Sequence, residues 1–319
     1  MRKSVSMGLM AGVLGMGVAS AEIKVSDALS LSGFMDMSAG YIDDNGTTSA
    51  YAGYDQFELD FKLKFAENLS GQVDLNMWPL GGTGSDVVLE QAFVTYTKGA
   101  LSLTTGKFLS STGFEAAEPT GLYQYSWSNT LVYGGYQNGV AASYTISPMI
   151  SLYGAFVGSV WDGTDTDIKK PGYEAQVSLM PLEGLTIKAA YAAETDLAQD
   201  DGGDTGVTVL SNQSLVNVWA SYATGPLLVA AEVNLVSDWG PTDEAGLGYL
   251  VMANYKATDK IAVTGRYSAL KLDGMAAADN EFALSPSYAI SSSWLVLAEF
   301  QQKIEAKVTT VAVESLLMF

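Results

Sequence analysis

Carboxylates are the titratable groups on which any chemistry of this 319-residue chain would depend, because it holds 35 Asp and Glu but no His and no Cys. Without histidine it has no Ser-His-Asp, His-Asp or histidine-ligated zinc mechanism. Without cysteine it has no thiol nucleophile, disulfide or cysteine zinc site. Paired carboxylates could still hydrolyse glycosides, but Asp and Glu are scattered along the whole chain. We therefore predict no enzymatic activity, no catalytic residue and no cofactor.

One acidic segment, Asp200-Asp201-Gly202-Gly203-Asp204, has the oxygen ligands that Ca²⁺ prefers. It lacks the D-x-D-x-D-G spacing and the later Glu of an EF-hand loop, so we interpret it as a solvated acidic loop and predict no metal site. The net charge of −19 and the lack of clustered Lys and Arg exclude a phosphate-neutralising nucleic-acid interface.

In the segments that carry these charges, apolar and polar residues alternate along the chain. In Gln56–Phe65, apolar residues hold one parity, while Gln56, Glu58, Asp60, Lys62 and Lys64 hold the other. A period of two places these two sets on opposite faces of a β-strand. Such polarisation, repeated around a chain of this length, indicates a wall between lipid and water.

Segments of this kind recur through the chain, and we predict sixteen strands in an all-β, transmembrane, antiparallel up-and-down β-barrel. They lie near 30–41, 55–66, 70–78, 87–96, 101–108, 137–146, 149–161, 172–180, 185–194, 214–222, 227–237, 246–256, 261–271, 281–290, 294–303 and 308–319.

The N-terminus has the pattern of a signal peptide. Arg2 and Lys3 precede a short apolar run that ends at the cleavage motif Ala19-Ser20-Ala21. We predict a signal peptide at residues 1–21 and a single barrel domain at residues 22–319. The alternative is a membrane anchor, for which the apolar run is short.

The connections alternate in length. Turns of two to four residues, such as Ser147-Pro148, alternate with mostly longer segments, among them 42–54, 109–136 and 195–213. Short periplasmic turns and long extracellular loops are typical of outer-membrane barrels.

Strands that descend to the short-turn rim end in an aromatic residue on the apolar face, with Leu179 the exception. Amphipathic rings favour the headgroup layer, so this pattern predicts a girdle. Its members are Phe65, Tyr96, Tyr144, Tyr222, Tyr255, Tyr288 and Phe319.

The opposite parity is polar and predicts a wettable lumen, which sixteen strands make wide enough for an aqueous channel. For any single residue, a solvated face without a role in selectivity is the alternative interpretation. The charged pore-lining candidates on this parity are Glu58, Asp60, Lys62, Lys64, Asp74, Glu174, Lys188, Glu232 and Arg266.

A set of motifs narrows the class further. The strand ending Gly106-Lys107-Phe108 leads to Gly113-Phe114-Glu115, then to Tyr125-Ser126-Trp127-Ser128 and Gly139–Tyr144, and the chain closes with an alternating strand into Phe319. This order resembles the β-barrel porin family of Gram-negative outer membranes. The resemblance implies passive diffusion of small hydrophilic solutes or ions and recognition of the last strand by the barrel-assembly machinery. It also implies contact with outer-membrane lipid and lipopolysaccharide, and a homotrimer.

By the same resemblance, segment 109–136 is the third long-rim loop, which narrows the channel in general porins. Glu115 and Glu118 would then lie at the constriction and face Lys62, Lys64, Lys107 or Arg266. A loop on the outer surface is the alternative. The chain has only Arg2 and Arg266, so it departs from porins that carry a ladder of arginines opposite this loop.

The long-rim loops are strongly acidic, which predicts a modest preference for cations. Binding of divalent cations at the outer leaflet is the alternative role for these acids. A non-channel barrel that serves as adhesin, receptor or envelope structural protein is a second hypothesis for the chain, and a secreted soluble sandwich or lectin is a third.

Overall fold

The computed structural model describes residues 22–80, 84–115, 117–130, 135–195, 197–200, 208–239 and 244–319. The predicted signal peptide and most of the Asp200–Asp204 segment lie outside these ranges. The strands are β1 Ile23–Lys24, β2 Leu29–Asp44, β3 Thr47–Ala66, β4 Leu69–Leu80, β5 Gly84–Lys98, β6 Leu101–Leu109, β7 Tyr136–Ser147, β8 Ile150–Val157, β9 Gly172–Leu182, β10 Leu185–Ala193, β11 Leu197–Asp200, β12 Thr208–Ser211, β13 Ser214–Thr224, β14 Leu227–Trp239, β15 Glu244–Lys256, β16 Ile261–Leu272, β17 Asp279–Ser291, β18 Trp294–Lys303 and β19 Val308–Met318.

Sixteen of these strands, β2–β10 and β13–β19, form one closed antiparallel barrel in which chain neighbours pair. Closure comes from β19 and β2, which pair from Val308 opposite Asp44 to Met318 opposite Phe34. A closed barrel satisfies every ladder hydrogen bond internally, as a lipid environment requires. The predicted sixteen-stranded barrel is confirmed. Within the described ranges, no helix has the length and hydropathy needed to cross a membrane.

The strands present their apolar side outward. Along β14, Leu228, Glu232 and Asn234 point into the barrel and are buried, whereas Val233 and Leu235 on the other parity are 44% and 51% exposed. A soluble sandwich would bury the apolar parity instead. This inversion, repeated around the barrel, matches a wall with lipid outside.

The first long-rim connection differs from the prediction. We expected a loop at 42–54, but β2 and β3 extend through most of it and turn at Asn45-Gly46. These two residues have φ angles of 49° and 93°. Two positive φ values in an Asn-Gly pair make the tight turn that joins long antiparallel strands.

Strand β8 ends at Val157 rather than at the predicted residue 161. The reason is local, because the Ser159 hydroxyl accepts hydrogen bonds from the backbone N–H groups of Trp161, at 3.1 Å, and Asp162, at 2.8 Å. Such side-chain bonds to nearby backbone groups compete with the ladder and turn the chain.

The barrel seam is sealed by the C-terminal residue. Phe319 and Gly33 exchange backbone hydrogen bonds of 2.9 and 3.0 Å, and the Phe319 ring stacks on Phe57 with centroids 6.3 Å apart. A Cβ at Gly33 would lie 2.9 Å from the Phe319 ring and 2.2 Å from the Glu58 carbonyl oxygen. Glycine is therefore required where the ring crosses β2. Strand β1 pairs with Ser30 and Leu31, the part of β2 beyond the reach of β19.

Candidate functional site: the lumen and its inserted loop

Residues 110–115, 117–130 and 135, here called the inserted loop, follow β6 and lie inside the barrel ahead of β7. At the start of the inserted loop, Ser110 and Ser111 donate hydrogen bonds to the buried Glu174 carboxylate on β9, and the Ser111 backbone N–H does so at 3.1 Å. Gln137 on β7 donates to the same carboxylate at 2.7 Å. Glu174 thus ties the loop to the wall where it turns inward.

Wall side chains accept hydrogen bonds from the backbone of the inserted loop. Gly113 N–H donates to Asn217 on β13 at 3.2 Å, and Phe114 N–H donates to Glu232 on β14 at 3.2 Å. Farther along, Tyr125 N–H donates to Glu299 on β18 at 3.0 Å. Buried backbone groups without helix or ladder partners need such acceptors, so the inward-facing acids hold the loop in place.

Arg266 on β16 is the cation of this arrangement and is 1% exposed. Its guanidinium donates to Glu115 at 2.7 Å and to Glu281 at 2.6 Å. It also donates to Ser126 O at 2.5 Å, Ser126 Oγ at 3.0 Å and Trp127 O at 3.0 Å. One fork-shaped group therefore joins β16, β17 and two parts of the inserted loop.

Apolar contacts complete the docking of the loop. Tyr123 packs in a buried cluster with Leu228, Leu250 and Met252 of the wall. Phe114 meets Trp219 edge to face, with ring centroids 5.5 Å apart. Ring pairs of this geometry add about 0.5–1.5 kcal/mol beyond area burial.

A group of five carboxylates, here called the acid cluster, lies on the opposite wall. Glu58 and Asp60 come from β3, Asp74 from β4, Glu90 from β5 and Glu118 from the inserted loop. Glu58, Glu90 and Glu118 each place an oxygen within 4.8 Å of the others, and so do Glu58, Asp60 and Asp74. Within the described ranges, no Lys or Arg forms a salt bridge with these five residues.

Glu118 links the inserted loop to this cluster. It accepts hydrogen bonds from Tyr136 at 2.5 Å and Gln56 at 3.3 Å. Burial raises the pKa of the Glu118 carboxyl above its ordinary value, Tyr136 opposes this rise, and nearby Glu90 adds to it. Burial likewise raises the pKa of Tyr123 to about 12.

One cavity, of about 510 Å³ and here called the outer cavity, lies beside the inserted loop toward the long rim. It is lined by Asp36, Asp55, Glu281 and Glu314, with Lys303 as a cation. A second cavity, of about 370 Å³, lies at the short rim beside Lys24, Lys62 and Lys64. Charge therefore changes along the barrel from acidic to mixed.

Most pore-lining candidates lie on the inward parity, but they do not form one ring. Glu115 meets Arg266, whereas Lys62 and Lys64 lie at the short rim. Lys188 faces the Trp219 ring at 5.2 Å. Lys107 alternates with the buried Phe108, donates to Leu89 O on β5 at 2.9 Å and lies 6.0 Å from the centroid of the Tyr136 ring. Among the described residues it forms no salt bridge with Glu115 or Glu118.

Sequence reasoning missed several charged lumen residues. Asp36, Glu281, Glu299, Lys303 and Glu314 lie on the inward parity of predicted strands, so the alternation could have identified them. Glu90 could not be found in this way, because the register between β4 and β5 shifts next to it. A bulge of this kind re-aims a side chain and breaks the period of two.

Six of the predicted girdle residues are exposed on the outer surface near the short rim, and Phe319 is partly covered at the seam. A second band of exposed rings lies toward the long rim and was not predicted. It comprises Tyr41, Tyr54, Tyr173, Tyr191, Phe282 and Phe300.

The model of the family described as "Putative beta-barrel porin-2, OmpL-like" matches residues 28–308. Among solved structures, the chain is similar to Salmonella typhi OmpF in complex with daunomycin, with a TM-score of 0.72 and 14% identity over 93% of this chain and 100% of that chain. It is similar to OmpT of Vibrio cholerae in its trimer form, with a TM-score of 0.67 and 12% identity over 91% and 99%. It is also similar to the anion-selective porin of Comamonas acidovorans, with a TM-score of 0.66 and 12% identity over 92% and 99%. A comparison with curated protein sequences gave no significant match.

The family match spans most of the chain, and the closed sixteen-stranded fold is the one these porins share. The chain belongs to the β-barrel porin-2 family and is a porin-like barrel of the bacterial outer membrane.

Proposed function

We propose that this barrel is a water-filled channel for passive diffusion of small hydrophilic solutes and ions, with a modest preference for cations. The observation that carries the proposal is the inward face, which is polar and acidic around a cavity that opens beside the inserted loop. A wettable wall lets water and hydrated solutes enter, and fixed charges set which ions concentrate there.

Not every lumen acid contributes equally to this preference. Glu115 and Glu281 share the charge of Arg266, whereas Asp36, Asp55 and Glu314 line the outer cavity with Lys303 as its cation. A surplus of acids in a low-dielectric vestibule raises the local concentration of cations. The fold alone does not set this sign, because an anion-selective porin has the same architecture.

The test is the reversal potential of the purified protein in a planar bilayer across a tenfold KCl gradient. We expect conducting steps with a potential of the sign that K⁺ permeation gives, reduced at high salt because screening shortens the reach of exposed charges. An anion-selective current contradicts the proposed preference and leaves the channel itself intact.

One observation favours a second candidate, a non-channel barrel that serves as adhesin, receptor or envelope structural protein. The inserted loop is held from several sides of the wall, by Asn217, Glu232, Arg266 and Glu299. A lumen closed by this loop would give no conducting steps even when the reconstituted protein is folded. Unheated and boiled samples that differ in gel mobility establish folding independently.

The N-terminal pattern and the C-terminal strand also bear on export and assembly. We infer cleavage after Ala21, export to the outer membrane and recognition of the C-terminal strand by the barrel-assembly machinery, with lipid and lipopolysaccharide outside. Mass spectrometry of the exported chain should find Glu22 at the N-terminus. We also propose a homotrimer, since Vibrio cholerae OmpT has a trimer form; light scattering in detergent tests it. We propose no catalysis, since the sequence holds neither His nor Cys.

A further inference from the structure

We propose that the acid cluster contains a binding site for Ca²⁺, formed by Glu58, Asp60 and Asp74 on the lumen side of β3 and β4. Sequence analysis predicted no metal site, and these residues are far along the chain from the acidic Asp200–Asp204 segment. Binding can be measured without conduction, so this inference does not rest on the proposed channel function.

The register of the two strands brings the acids together. Asp60 stands directly opposite Asp74, and Glu58 stands opposite Asn76. Like charges directly opposite one another destabilise a strand pair. The described residues include no Lys or Arg that forms a salt bridge with any of the three. A bound cation would offset the electrostatic repulsion among these carboxylates.

The separation of the oxygens fits one hard cation. One carboxylate oxygen from each of Glu58, Asp60 and Asp74 lies within 4.8 Å of the other two. Ca²⁺ binds oxygen at about 2.3–2.6 Å, so two ligands of one ion can be no more than roughly 5 Å apart. Ca²⁺ also accepts irregular sets of oxygen ligands and can complete its shell with water from the lumen.

Buried carboxylate oxygens at this site also lack a hydrogen-bond donor. Asp74 is 1% exposed, and its Oδ1 has no partner, while its Oδ2 accepts from Gln72 at 2.8 Å and from Gln91. Asp60 shows the same division, because Ser32 donates to its Oδ2 at 3.0 Å and its buried Oδ1 has no partner. Each carboxylate is thus oriented by neutral donors through one oxygen and leaves the other available.

Asn76, which is paired with Glu58 in the register of β3 and β4, offers a neutral oxygen beside the three acids. Asn76 is fully buried, donates to Glu90 at 2.5 Å and leaves its own Oδ1 without a donor. A buried amide oxygen without a partner destabilises the folded protein, and Ca²⁺ readily takes amide oxygens. Neutral second-shell donors with free ligand oxygens are the usual arrangement of a metal site.

The site would also act on the inserted loop. Glu118 shares the vicinity of Glu58 and Glu90, so a divalent charge on Glu58 would reduce the repulsion that opposes docking of Glu118. Bound Ca²⁺ would therefore hold this end of the loop against β3.

The experiment is a calorimetric titration of the folded, EDTA-treated protein in detergent with CaCl₂. We expect saturable binding by the wild type, weakened at least about 10–100-fold in Asp74→Asn, because the loss of even a hydrogen-bond partner of a metal ligand weakens binding on that scale. The matched control is Glu194→Gln, a buried carboxylate on another wall that accepts bonds from Ser159 and Val160. Its affinity for Ca²⁺ should be unchanged.

The wild-type titration by itself can overturn the proposal, since no saturable binding means that the acids share protons rather than a cation. Wild-type affinity in a folded Asp74→Asn protein also overturns it. Should that variant fail the gel test for folding, Asp60→Asn replaces it, because Asp60 is less buried. A protein that conducts without binding Ca²⁺ refutes only the metal site, and one that binds Ca²⁺ without conducting refutes only the channel.

Discussion

Replacing Arg266 with Met should release the inserted loop from β16. The side chain donates five hydrogen bonds, three of them to Ser126 and Trp127 of the loop and two to the carboxylates of Glu115 and Glu281. Methionine keeps much of the volume but leaves both carboxylates buried without a cation. Breaking one partner out of a buried ion pair costs about 3–5 kcal/mol.

This cost in free energy increases the fraction of molecules in which the loop is undocked. Each ~1.4 kcal/mol changes an equilibrium constant tenfold, so the ratio of docked to undocked loop should fall by about 10²–10³·⁵. The anchors at Glu174, Glu232 and Glu299 remain, so the barrel should still fold. Single-channel recordings should show larger conductance with more noise.

Two further variants make this test specific. Lys188→Met removes another inward cation, which contacts the Trp219 ring, and should leave the conductance near that of the wild type. Adding Glu115→Gln and Glu281→Gln to Arg266→Met should recover stability against denaturant, because the unpaired charges are gone. The reasoning is refuted if folded Arg266→Met protein matches wild type in conductance, noise and stability.

Three other perturbations follow from the geometry. Gly33→Ala should lower the yield of folded barrel in a refolding and gel-mobility assay, because its Cβ would lie 2.2 Å from a backbone oxygen. Gly265→Ala, whose Cβ would have nothing within 4 Å, should not lower it. Equal yields would contradict the requirement for glycine where β2 meets Phe319. Conductance should be lower at acidic pH. The reason is that burial raises the pKa of Glu118 above its ordinary value in the docked loop, so docking weakens as the pH rises through the raised value; a Glu118→Gln variant should lose this dependence. Lys303→Gln should shift the reversal potential toward stronger cation preference, because Lys303 is the cation that lines the outer cavity; a shift toward anions would argue against that vestibule as the selective region.

The wall was predictable because its rule is local. Lipid on one side and water on the other impose a period of two on every strand, and that pattern can be read within ten residues, as at Gln56–Phe65. The prediction was wrong where a second local signal was overlooked. Asn45-Gly46 is a strong hairpin turn, and recognising it would have extended β2 and β3 through the expected loop.

The interior was less predictable because its contacts are distant in sequence. Glu115 and Arg266 are 151 positions apart, and the inserted loop has no periodicity that indicates which wall it meets. Parity narrows the lumen acids to one face but does not say which of them accept loop N–H groups. For Glu90 the alternation itself fails, because the register between β4 and β5 shifts beside it.

The acidic residues of the lumen therefore have two different physical roles, which the composition of the chain does not distinguish. Glu174, Glu232 and Glu299 accept backbone N–H groups of the inserted loop, and a buried carboxylate with several such donors interacts mainly with them. Acids with one oxygen that has neither a donor nor a cation, such as Oδ1 of Asp74, leave that oxygen available to an ion in the lumen. Ion preference should accordingly respond to substitutions among the second group, whereas substitutions among the first should change the position of the loop.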